Sequence, residues 1–447
     1  MGPDGARARR SRPARGGGLA VAAAAARLVA AVLLVAALAP RAAEARRRLV
    51  PREHRTIQAA IDAAQPGDTV LVAPGIYRGG IQLKKPLVLR SEGGPEKTIL
   101  DGGDSVRVLH VEGVRRGAIL GFGIRGGKAN GGGGIQIVRD TTFSVGGCVL
   151  TKNWESAIGV WGSKEIAISG CKISNNQGSG VRVNDTIVAV FDCEFTDNEG
   201  HEGGGLFLSN SRLMMPLRNT LFSGNRAKGG VGGGVCAADS SEGTIASCTF
   251  RENTSDVSGA ALATMTFAEF NVSRSRFTRN HSPTAPAINS DHARTNVGYS
   301  VFDENTADGV AGAIGIRQRG TANVNPILSN NTFYKNRVKG DGANLFFVDV
   351  SPEVRKNIFV LEHDQGAATG LQTSPRYDCN LIWDPSGGAI GALPSANTWV
   401  GDPLFCDAEH GDFKLRDLSP ALRAPCGPIG ALSESAGCST FRLQPAN

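Results

Sequence analysis

The chain has 447 residues, 59 of them glycine, with 6% aromatic residues and a formal net charge of +7. Residues 1–45 carry seven arginines and two acidic residues, so residues 46–447 carry a net charge of only +2. A charge so close to zero excludes the basic surface on which nucleic-acid binding depends, and we expect no nucleic-acid partner.

The first 45 residues have the order of a secretory signal peptide. Arginines between Arg7 and Arg15 precede an apolar run, Leu28–Ala39, and Ala43-Glu44-Ala45 offers a small-residue cleavage site. The apolar run is shorter than the roughly 20 residues of a membrane helix. We therefore expect a secreted, periplasmic or cell-surface protein without a membrane span after cleavage. A membrane anchor or a disordered tail is the alternative interpretation of this segment.

A short helix is predicted next, over residues 56–64. Thr56 is suited to cap it, and Pro66-Gly67 is suited to end it. Apolar residues recur on one face at helical spacing: Ile57, Ala60, Ile61 and Ala64. We expect this helix to cover the first turn of the fold, with strands following at residues 69–72 and 87–89.

An internal repeat begins near residue 150 and consists of an apolar residue, two polar or small residues, and an asparagine. Its anchors lie 22–31 residues apart, and Ile124 and Ile358 are an earlier copy and a degenerate later copy without the asparagine. The pairs are Leu150/Asn153, Ile173/Asn176, Phe195/Asn198, Phe222/Asn225, Phe250/Asn253, Phe277/Asn280, Phe302/Asn305 and Phe333/Asn336. A repeat of this length suits one coil of three short strands.

The repeat predicts strands rather than helices. In residues 189–195 the apolar Phe191, Cys193 and Phe195 alternate with Asp192 and Glu194, which is the period of two of a strand. Stacked coils place equivalent residues about 4.8 Å apart. The anchors then form an internal stack, and the asparagines form a hydrogen-bonded ladder at a turn, where Asn also tolerates left-handed backbone.

The pattern therefore predicts an all-β parallel β-helix solenoid of about ten or more coils, in preference to a leucine-rich repeat or another solenoid. Cys148, Cys171, Cys193 and Cys248 each lie two residues before an anchor, so we expect buried thiols, the first three in successive coils. Cys236 follows Val235 on the opposite face and is left unassigned. Four further cysteines lie in a Pro- and Gly-rich tail and favour two disulfides, with three possible connectivities: Cys379, Cys406, Cys426 and Cys438.

Three segments carry a family resemblance: Thr56–Ile61, Pro66–Val70 and Pro74–Tyr77. They resemble the N-terminal cap of the pectin-lyase-like superfamily of right-handed β-helices, and with the repeats the resemblance spans about residues 50–360. It implies a right-handed coil and a capping helix. The superfamily includes polysaccharide lyases, polygalacturonases, pectin methylesterases, epimerases and members without assigned activity. The tail, with Asp402–Phe405 and Leu418–Ala421, is similar to that of secreted bacterial β-helix proteins of unassigned activity.

These observations divide the chain into four parts. We expect a signal peptide at residues 1–45, a cap with the first coils at 46–98, the β-helix repeats at 99–378, and a disulfide-prone C-terminal cap at 379–447.

The catalytic motifs of the superfamily do not carry over intact. There is no Asp-Asp pair and no Gly-His-Gly, and Gly75-Ile76-Tyr77 is followed by Arg78 where a methylesterase has a glutamate. The best local candidate is Asp291-His292-Ala293-Arg294, which is similar to the Asp-His pair of some lyases and epimerases. Asp291 would orient His292 and Arg294 would neutralise a uronate. The alternative is a solvated turn between coils.

A second candidate is an outward polar face that would bind a ligand in a shallow groove. Adjacent coils would gather its residues, although a solvated strand face explains them equally well. The residues are Lys172, Asp192, Glu194, Asp197, His201 and Glu202.

Two function classes remain from the sequence. The first is a secreted, monomeric β-helix protein that binds or presents to polysaccharide on its outer face. The second is a lyase, hydrolase or epimerase of acidic polysaccharide. We expect no cofactor and no metal, except calcium if the protein is a lyase. Because no catalytic motif is intact, the sequence favours binding.

Overall fold

The fold is a parallel β-helix. The computed structural model describes residues 46–139, 141–318, 325–339, 342–362, 365–387, 397–433 and 437–438. These residues form an all-β solenoid of about 13 turns, which confirms the predicted fold class. The predicted signal peptide, residues 1–45, lies outside the described residues.

Successive coils pass through sheets 1, 2 and 4 in that order, and six of them also pass through sheet 3 between sheets 2 and 4; all strand pairs between coils are parallel. Sheet 1 contains Arg47–Val50, Thr69–Val72, Val88–Ser91, Arg115–Leu120, Thr142–Gly146, Glu165–Ser169, Ile187–Phe191, Arg212–Leu213, Leu217–Arg218, Glu242–Ala246, Glu269–Ser273, Arg294–Gly298, Ile327–Ser329, Glu353–Arg355 and Arg376–Asp378. Sheet 2 contains Gly75–Arg78, Thr98–Asp101, Gly123–Arg125, Val149–Thr151, Lys172–Ser174, Glu194–Thr196, Leu221–Ser223, Thr249–Arg251, Arg276–Thr278, Val301–Asp303, Thr332–Tyr334, Ile358–Val360, Leu381–Trp383 and Trp399–Val400.

Sheet 3 is short, and among the described residues its strands lie between residues 199 and 338. It contains Glu199–Gly200, Arg226–Ala227, Thr254–Ser255, His281–Ser282, Thr306–Ala307 and Arg337–Val338. Sheet 4 contains Ile81–Leu83, Leu109–Glu112, Ile135–Val138, Trp154–Trp161, Gln177–Asn184, Leu206–Ser209, Val235–Ala238, Leu262–Met265, Ile288–Asp291, Ala311–Arg317, Ala343–Val348 and Gly366–Leu371. Outside these sheets lie an antiparallel pair, Phe405–Asp407 and Asp412–Leu415, and the 3-10 helices Ala408–His410 and Pro420–Leu422.

The N-terminal helix spans Ile57–Ala63 and begins as predicted. The Thr56 hydroxyl accepts a hydrogen bond from the Ala59 amide at 3.1 Å, which satisfies one of the free amides of the first turn. Ile57, Ala60 and Ile61 are buried against the strands of the first coils. The helix therefore shields the apolar interior that an open end of the rod would expose to water.

The interior of sheet 2 contains a continuous stack of phenylalanine rings. Neighbouring rings lie 4.8–5.0 Å apart and almost parallel, in the order Phe195, Phe222, Phe250, Phe277, Phe302, Phe333 and Phe359. The predicted last anchor, Ile358, is wrong by one residue. Phe359 pairs with Phe333 and points inward, whereas Ile358 faces outward and packs under the C-terminal tail. Both residues are apolar, so hydropathy alone did not fix the register.

The asparagine ladder follows sheet 2, and all eight predicted members are buried. In each step the side-chain amide donates to the Oδ1 of the next asparagine at 2.8–3.1 Å. The members are Asn153, Asn176, Asn198, Asn225, Asn253, Asn280, Asn305 and Asn336. Their burial makes the ladder a structural feature of the interior, so these side chains do not contact a ligand on the outer face.

The expectation that the ladder asparagines themselves take the left-handed backbone of the turn is wrong. At Asn176, Asn198 and Asn305, as at the other five positions, the residue before the asparagine has the positive φ. Those preceding residues, with φ between 50° and 65°, are Lys152, Asn175, Asp197, Gly224, Glu252, Arg279, Glu304 and Lys335. The physical reason is that each asparagine side chain must point inward to reach its neighbour, so the sharp bend falls one residue earlier.

A second turn column, between sheets 1 and 2, contains the inward cysteines. Cys148, Cys171, Cys193 and Cys248 are buried free thiols. In other coils the column contains polar residues whose side-chain oxygens accept hydrogen bonds from backbone amides of the preceding coil. These residues are Thr220, Ser275, Ser300, Asn331, Asn357 and Asn380. Burial raises the pKa of Cys248 to about 12, so this thiol is unreactive at neutral pH.

Residues 189–195 do not form one strand. Ile187–Phe191 belongs to sheet 1 and Glu194–Thr196 to sheet 2, and Asp192 at φ 54° makes the turn between them. Phe191 consequently faces outward, where the Arg218 guanidinium lies 5.4 Å from its ring centre. The prediction extended the alternation of apolar and polar residues across the turn at Asp192, and a turn breaks the period of two of a strand.

Candidate functional site

The Asp-His pair predicted as a catalytic candidate lies at a turn between sheets 4 and 1. Asp291 ends a sheet 4 strand, and its Oδ1 lies 2.9 Å from Nδ1 of His292. Arg294 is exposed and begins a sheet 1 strand beside Glu269. The structure therefore brings Asp291 and His292 together but places Arg294 on another face of the rod.

The six residues of the predicted polar groove are spread over several faces. Lys172 and Glu194 are stacked neighbours on sheet 2, with Nζ and Oε2 3.4 Å apart. Asp192 lies in the turn before sheet 2, and Asp197 lies in the turn after it. His201 and Glu202 follow the sheet 3 strand Glu199–Gly200. The six residues therefore do not form a single groove, because each turn carries the chain onto a different face of the rod.

The C-terminal tail returns along the rod and covers the outer face of sheet 2. Disulfides join Cys379 to Cys426 and Cys406 to Cys438, which confirms that the tail is disulfide-bonded. The apolar cluster beneath it has members from both the rod and the tail: Val301, Tyr334, Ile358, Val360, Leu381, Phe413, Leu415, Ala421 and Ile429. This explains why the outward positions of the last sheet 2 strands are apolar.

Polar contacts add to this attachment. Arg276 forms an ion pair with Asp303 and donates from Nη1 to the Gly411 carbonyl at 3.2 Å. The Gly430 amide donates to the Lys356 carbonyl at 2.9 Å, and the Ala431 amide donates to the Thr332 hydroxyl at 3.1 Å. The tail is therefore a fixed part of the rod surface.

A cleft of about 700 Å³ lies between the rod and the tail. The rod supplies its wall from the ends of the last sheet 2 strands and from sheet 3, and the tail supplies the wall opposite. The polar and aromatic residues that line it are Tyr334, Lys335, Arg337, Glu362, Trp383, Asp384, Ser386, Asp402, Phe405, Asp407, Glu409 and Arg416. Such a concave site with aromatic and convergent polar groups is the usual form of a ligand site.

One side of the cleft is a hydrogen-bonded cluster of Tyr334, Lys335 and Glu409. The Tyr334 hydroxyl donates to Glu409 Oε1 at 2.7 Å, and Lys335 Nζ donates to both carboxylate oxygens at 2.7 and 2.9 Å. Lys335 stands at the left-handed turn position before Asn336, with φ of 50°, which aims its side chain away from the rod interior. The cluster joins residues about 75 positions apart and fixes the tail to the rod.

The electrostatic effect of this cluster is mutual. The hydrogen bonds from Lys335 and Tyr334 hold the pKa of Glu409 below its usual value. The same contact with Glu409 raises the pKa of Lys335. Burial, followed by the bond to Glu409, raises the pKa of Tyr334 to about 12. Glu409 is therefore ionised and Lys335 is charged throughout the neutral range.

The other side of the cleft contains a second ion pair and a tryptophan. Arg337 donates through Nε and Nη2 to the two oxygens of Glu362, the Nη2 contact being 2.9 Å. Trp383 ends the Leu381–Trp383 strand, is half-buried, and lines the cleft while it also packs against the apolar cluster beneath the tail. Asp384 accepts from the Ser386 amide and hydroxyl at 2.8 and 2.6 Å. These side chains are held in place before any ligand arrives.

The Lys335–Glu409 contact predicts how the tail responds to pH. Because the folded-state pKa of Glu409 is lowered, its contribution is complete above the usual value of 4.5 and is lost as pH falls through the folded value. Because the pKa of Lys335 is raised, its contribution is lost only as pH rises above the usual 10.5. We expect proteolysis of residues 397–433 to be slow and constant between these limits and faster in acid.

The variant Glu409→Gln should remove the acid dependence and expose the tail to protease at neutral pH. The matched control is Glu194→Gln, which breaks a comparable exposed ion pair elsewhere on sheet 2. Equal proteolysis of the two variants at every pH would show that the contact does not hold the tail.

The cleft was not predicted from the sequence. The one available signal was Trp383, one of only four tryptophans, at an outward strand position where three of the early coils have Ser174, Thr196 and Ser223. The partners of the cleft residues come from the tail, which has no repeat and therefore no predicted position.

The sequence match decides the family. A model described as the right-handed β-helix region matches residues 118–234 and 218–381, which together are more than half of the chain. The chain belongs to the right-handed β-helix family. Together with the parallel strand pairing, this confirms the predicted hand and superfamily.

Several solved structures are similar to this β-helix protein. The catalytic domain of a GH87 α-1,3-glucanase aligns with a TM-score of 0.45 and 11% identity, over 81% of this chain and 70% of that one. A PL6 family alginate lyase aligns with a TM-score of 0.40 and 11% identity, over 89% and 59%. A pectate lyase aligns with a TM-score of 0.37 and 12% identity, over 82% and 85%.

Three further findings concern the membrane, the redox compartment and metal binding. Among the described residues, no helix is long and apolar enough to cross a membrane. The two disulfides fit an oxidising compartment outside the cytoplasm. In the same part of the chain, no group of three or more His, Cys, Asp or Glu side chains is placed to hold a metal ion.

Proposed function

We propose that this β-helix protein is exported and binds polysaccharide in the cleft between rod and tail. The observation that carries the proposal is that Trp383, an aromatic residue, lines a cleft together with the pre-formed ion pairs Lys335–Glu409 and Arg337–Glu362. Sugar rings have apolar C–H faces and polar hydroxyl edges. An aromatic surface flanked by fixed donors and acceptors complements both.

The rigidity of the cleft supports this proposal. A ligand site costs less conformational entropy on binding when its side chains are already ordered. Here Lys335 and Tyr334 share one carboxylate, Arg337 contacts both oxygens of another, and Cys406 ties the tail wall to Cys438. The site is partly open to solvent, so a ligand can enter it.

The charge state of the carboxylates favours binding over hydrolysis. A glycosidase needs one carboxylic acid with a raised pKa as proton donor. The pKa of Glu409 is lowered instead, and Glu362 is engaged by Arg337. Glu409 is therefore ionised at neutral pH and holds no proton to donate.

The test is affinity electrophoresis through gels that contain soluble polysaccharides. We expect the native protein to be retarded and Trp383→Ala to lose at least about tenfold in affinity, since truncation removes the aromatic surface. The matched control is Trp154→Ala, because Trp154 is exposed on sheet 4 under Lys128, far along the rod. Unchanged retardation of Trp383→Ala, or equal loss in both variants, would contradict the proposal.

A second candidate function is cleavage of acidic polysaccharide, and it rests on the 2.9 Å contact of Asp291 and His292. A negative charge beside a histidine is the arrangement of a general base, although Asp291 Oδ1 forms no hydrogen bond that would orient the ring. An ultraviolet assay for unsaturated uronate products, with alginate or polygalacturonate and calcium, distinguishes this candidate from binding alone.

The domain division belongs to the same proposal. We propose cleavage of a signal peptide after Ala45, a cap at residues 46–98, the repeats at 99–378 and a C-terminal cap at 379–447, in a protein that acts as a monomer. The strand that begins at Arg47, directly after the proposed cleavage site, supports the first boundary.

A further inference from the structure

The described residues that line the cleft carry more negative than positive charge. Three are cationic and five are carboxylates, which leaves a net charge of −2. The cations are Lys335, Arg337 and Arg416, and the carboxylates are Glu362, Asp384, Asp402, Asp407 and Glu409.

Each of the three cations already has an acceptor within the protein. Lys335 contacts both oxygens of Glu409. Arg337 contacts both oxygens of Glu362. Arg416 donates from Nη2 to the Cys406 carbonyl at 3.3 Å. A ligand carboxylate that approached Lys335 or Arg337 would therefore compete with the carboxylate already bound there, and a displaced carboxylate would lose its own donor.

We propose that the cleft binds uncharged glycans and discriminates against polyuronates. This inference rests on the proposed binding function and names its ligand class. Carboxylates accept hydrogen bonds from sugar hydroxyls, and bonds to an ionised acceptor are the stronger kind. A uronate in the same cleft meets like charge, and such juxtaposition suppresses binding of the wrong partner.

The charge of Asp402 offers a direct test of this selectivity. Its Oδ1 accepts from the Leu404 amide at 2.8 Å, and an asparagine oxygen retains that bond. Asp402→Asn thus removes one negative charge from the cleft while keeping the local turn. The matched control is Asp308→Asn, an exposed aspartate near His281 outside the cleft lining.

The experiment measures dissociation constants for dextran, laminarin, polygalacturonate and alginate of matched length, at low and high salt. We expect at least one neutral glycan to bind through Trp383 with little salt dependence, and the uronates to bind at least about tenfold more weakly. Asp402→Asn should reduce the difference in affinity between neutral glycans and uronates several-fold, whereas Asp308→Asn should leave that difference unchanged.

The outcomes separate the two proposals. Tight uronate binding that depends on Trp383 would overturn the ligand class but leave the binding function in place. Uronate affinity that is insensitive to Asp402→Asn would also overturn the electrostatic argument. If none of the four polysaccharides binds, the inference and the function that it rests on fall together.

Discussion

Replacing Asn253 with alanine is expected to lower the free energy of unfolding by about 3–5 kcal/mol. Asn253 is fully buried, and its amide donates to the Phe222 carbonyl and to Asn280 Oδ1, both at 3.0 Å. Its Oδ1 accepts from the backbone and side-chain amides of Asn225 at 3.0 and 3.1 Å. The alanine removes a hydrogen bond from each of these four buried polar groups, and a buried group left unsatisfied costs roughly 1–3 kcal/mol.

Stability should be measured coil by coil, because a solenoid need not unfold as one unit. Hydrogen exchange should accelerate in the coils around residues 222–280 and much less at the N-terminal coils. Asn271→Ala is the matched control, since Asn271 is exposed and accepts a single bond from Asn296. We expect the control to change stability by less than about 0.5 kcal/mol. Equal exchange in the two variants would mean that the ladder does not stabilise the rod.

Opening the Cys406–Cys438 disulfide is expected to weaken ligand binding while the β-helix stays folded. The disulfide closes a loop with a sequence separation of 32, and loop closure of this length stabilises by about 4 kcal/mol. Cys406 lies in the cleft lining, between Phe405 and Asp407. The double variant Cys406→Ser, Cys438→Ser should therefore loosen the wall formed by the tail, and affinity should fall at least about tenfold.

The control for this experiment is Cys248→Ser. Cys248 is a free buried thiol in a column where the next coil has Ser275, so serine fits the position. Circular dichroism should show unchanged β structure in both proteins, and only the double variant should lose affinity. Retained affinity in the double variant would show that the disulfide does not maintain the cleft.

The fold was largely predictable because its signals are periodic. Each coil from Leu150 to Phe333 repeats the anchor and the asparagine, so a single atypical anchor such as Leu150 does not obscure the pattern. The error in the last anchor falls where periodicity gives two equal answers. Ile358 and Phe359 are both apolar neighbours, and only the stacking of Phe359 on Phe333 decides between them.

The candidate site was less predictable because its residues are distant in the sequence. Glu409 meets Tyr334 and Lys335 through the packing of an irregular tail, which no repeat anticipates. Local motifs instead drew attention to Asp291 and His292, which do contact each other, and to Arg294, which lies on another face. Closeness in the sequence correctly predicted the contact between Asp291 and His292. It did not predict the position of Arg294, because the chain turns to another face between His292 and Arg294.

The most direct test is a crystal structure of the protein with a bound neutral oligosaccharide. We expect a sugar ring to pack against Trp383 and its hydroxyls to form hydrogen bonds with carboxylates of the cleft. The ion pairs Lys335–Glu409 and Arg337–Glu362 should stay intact. Sugar bound at another face, such as beside Asp291 and His292, with the cleft unoccupied, would contradict it.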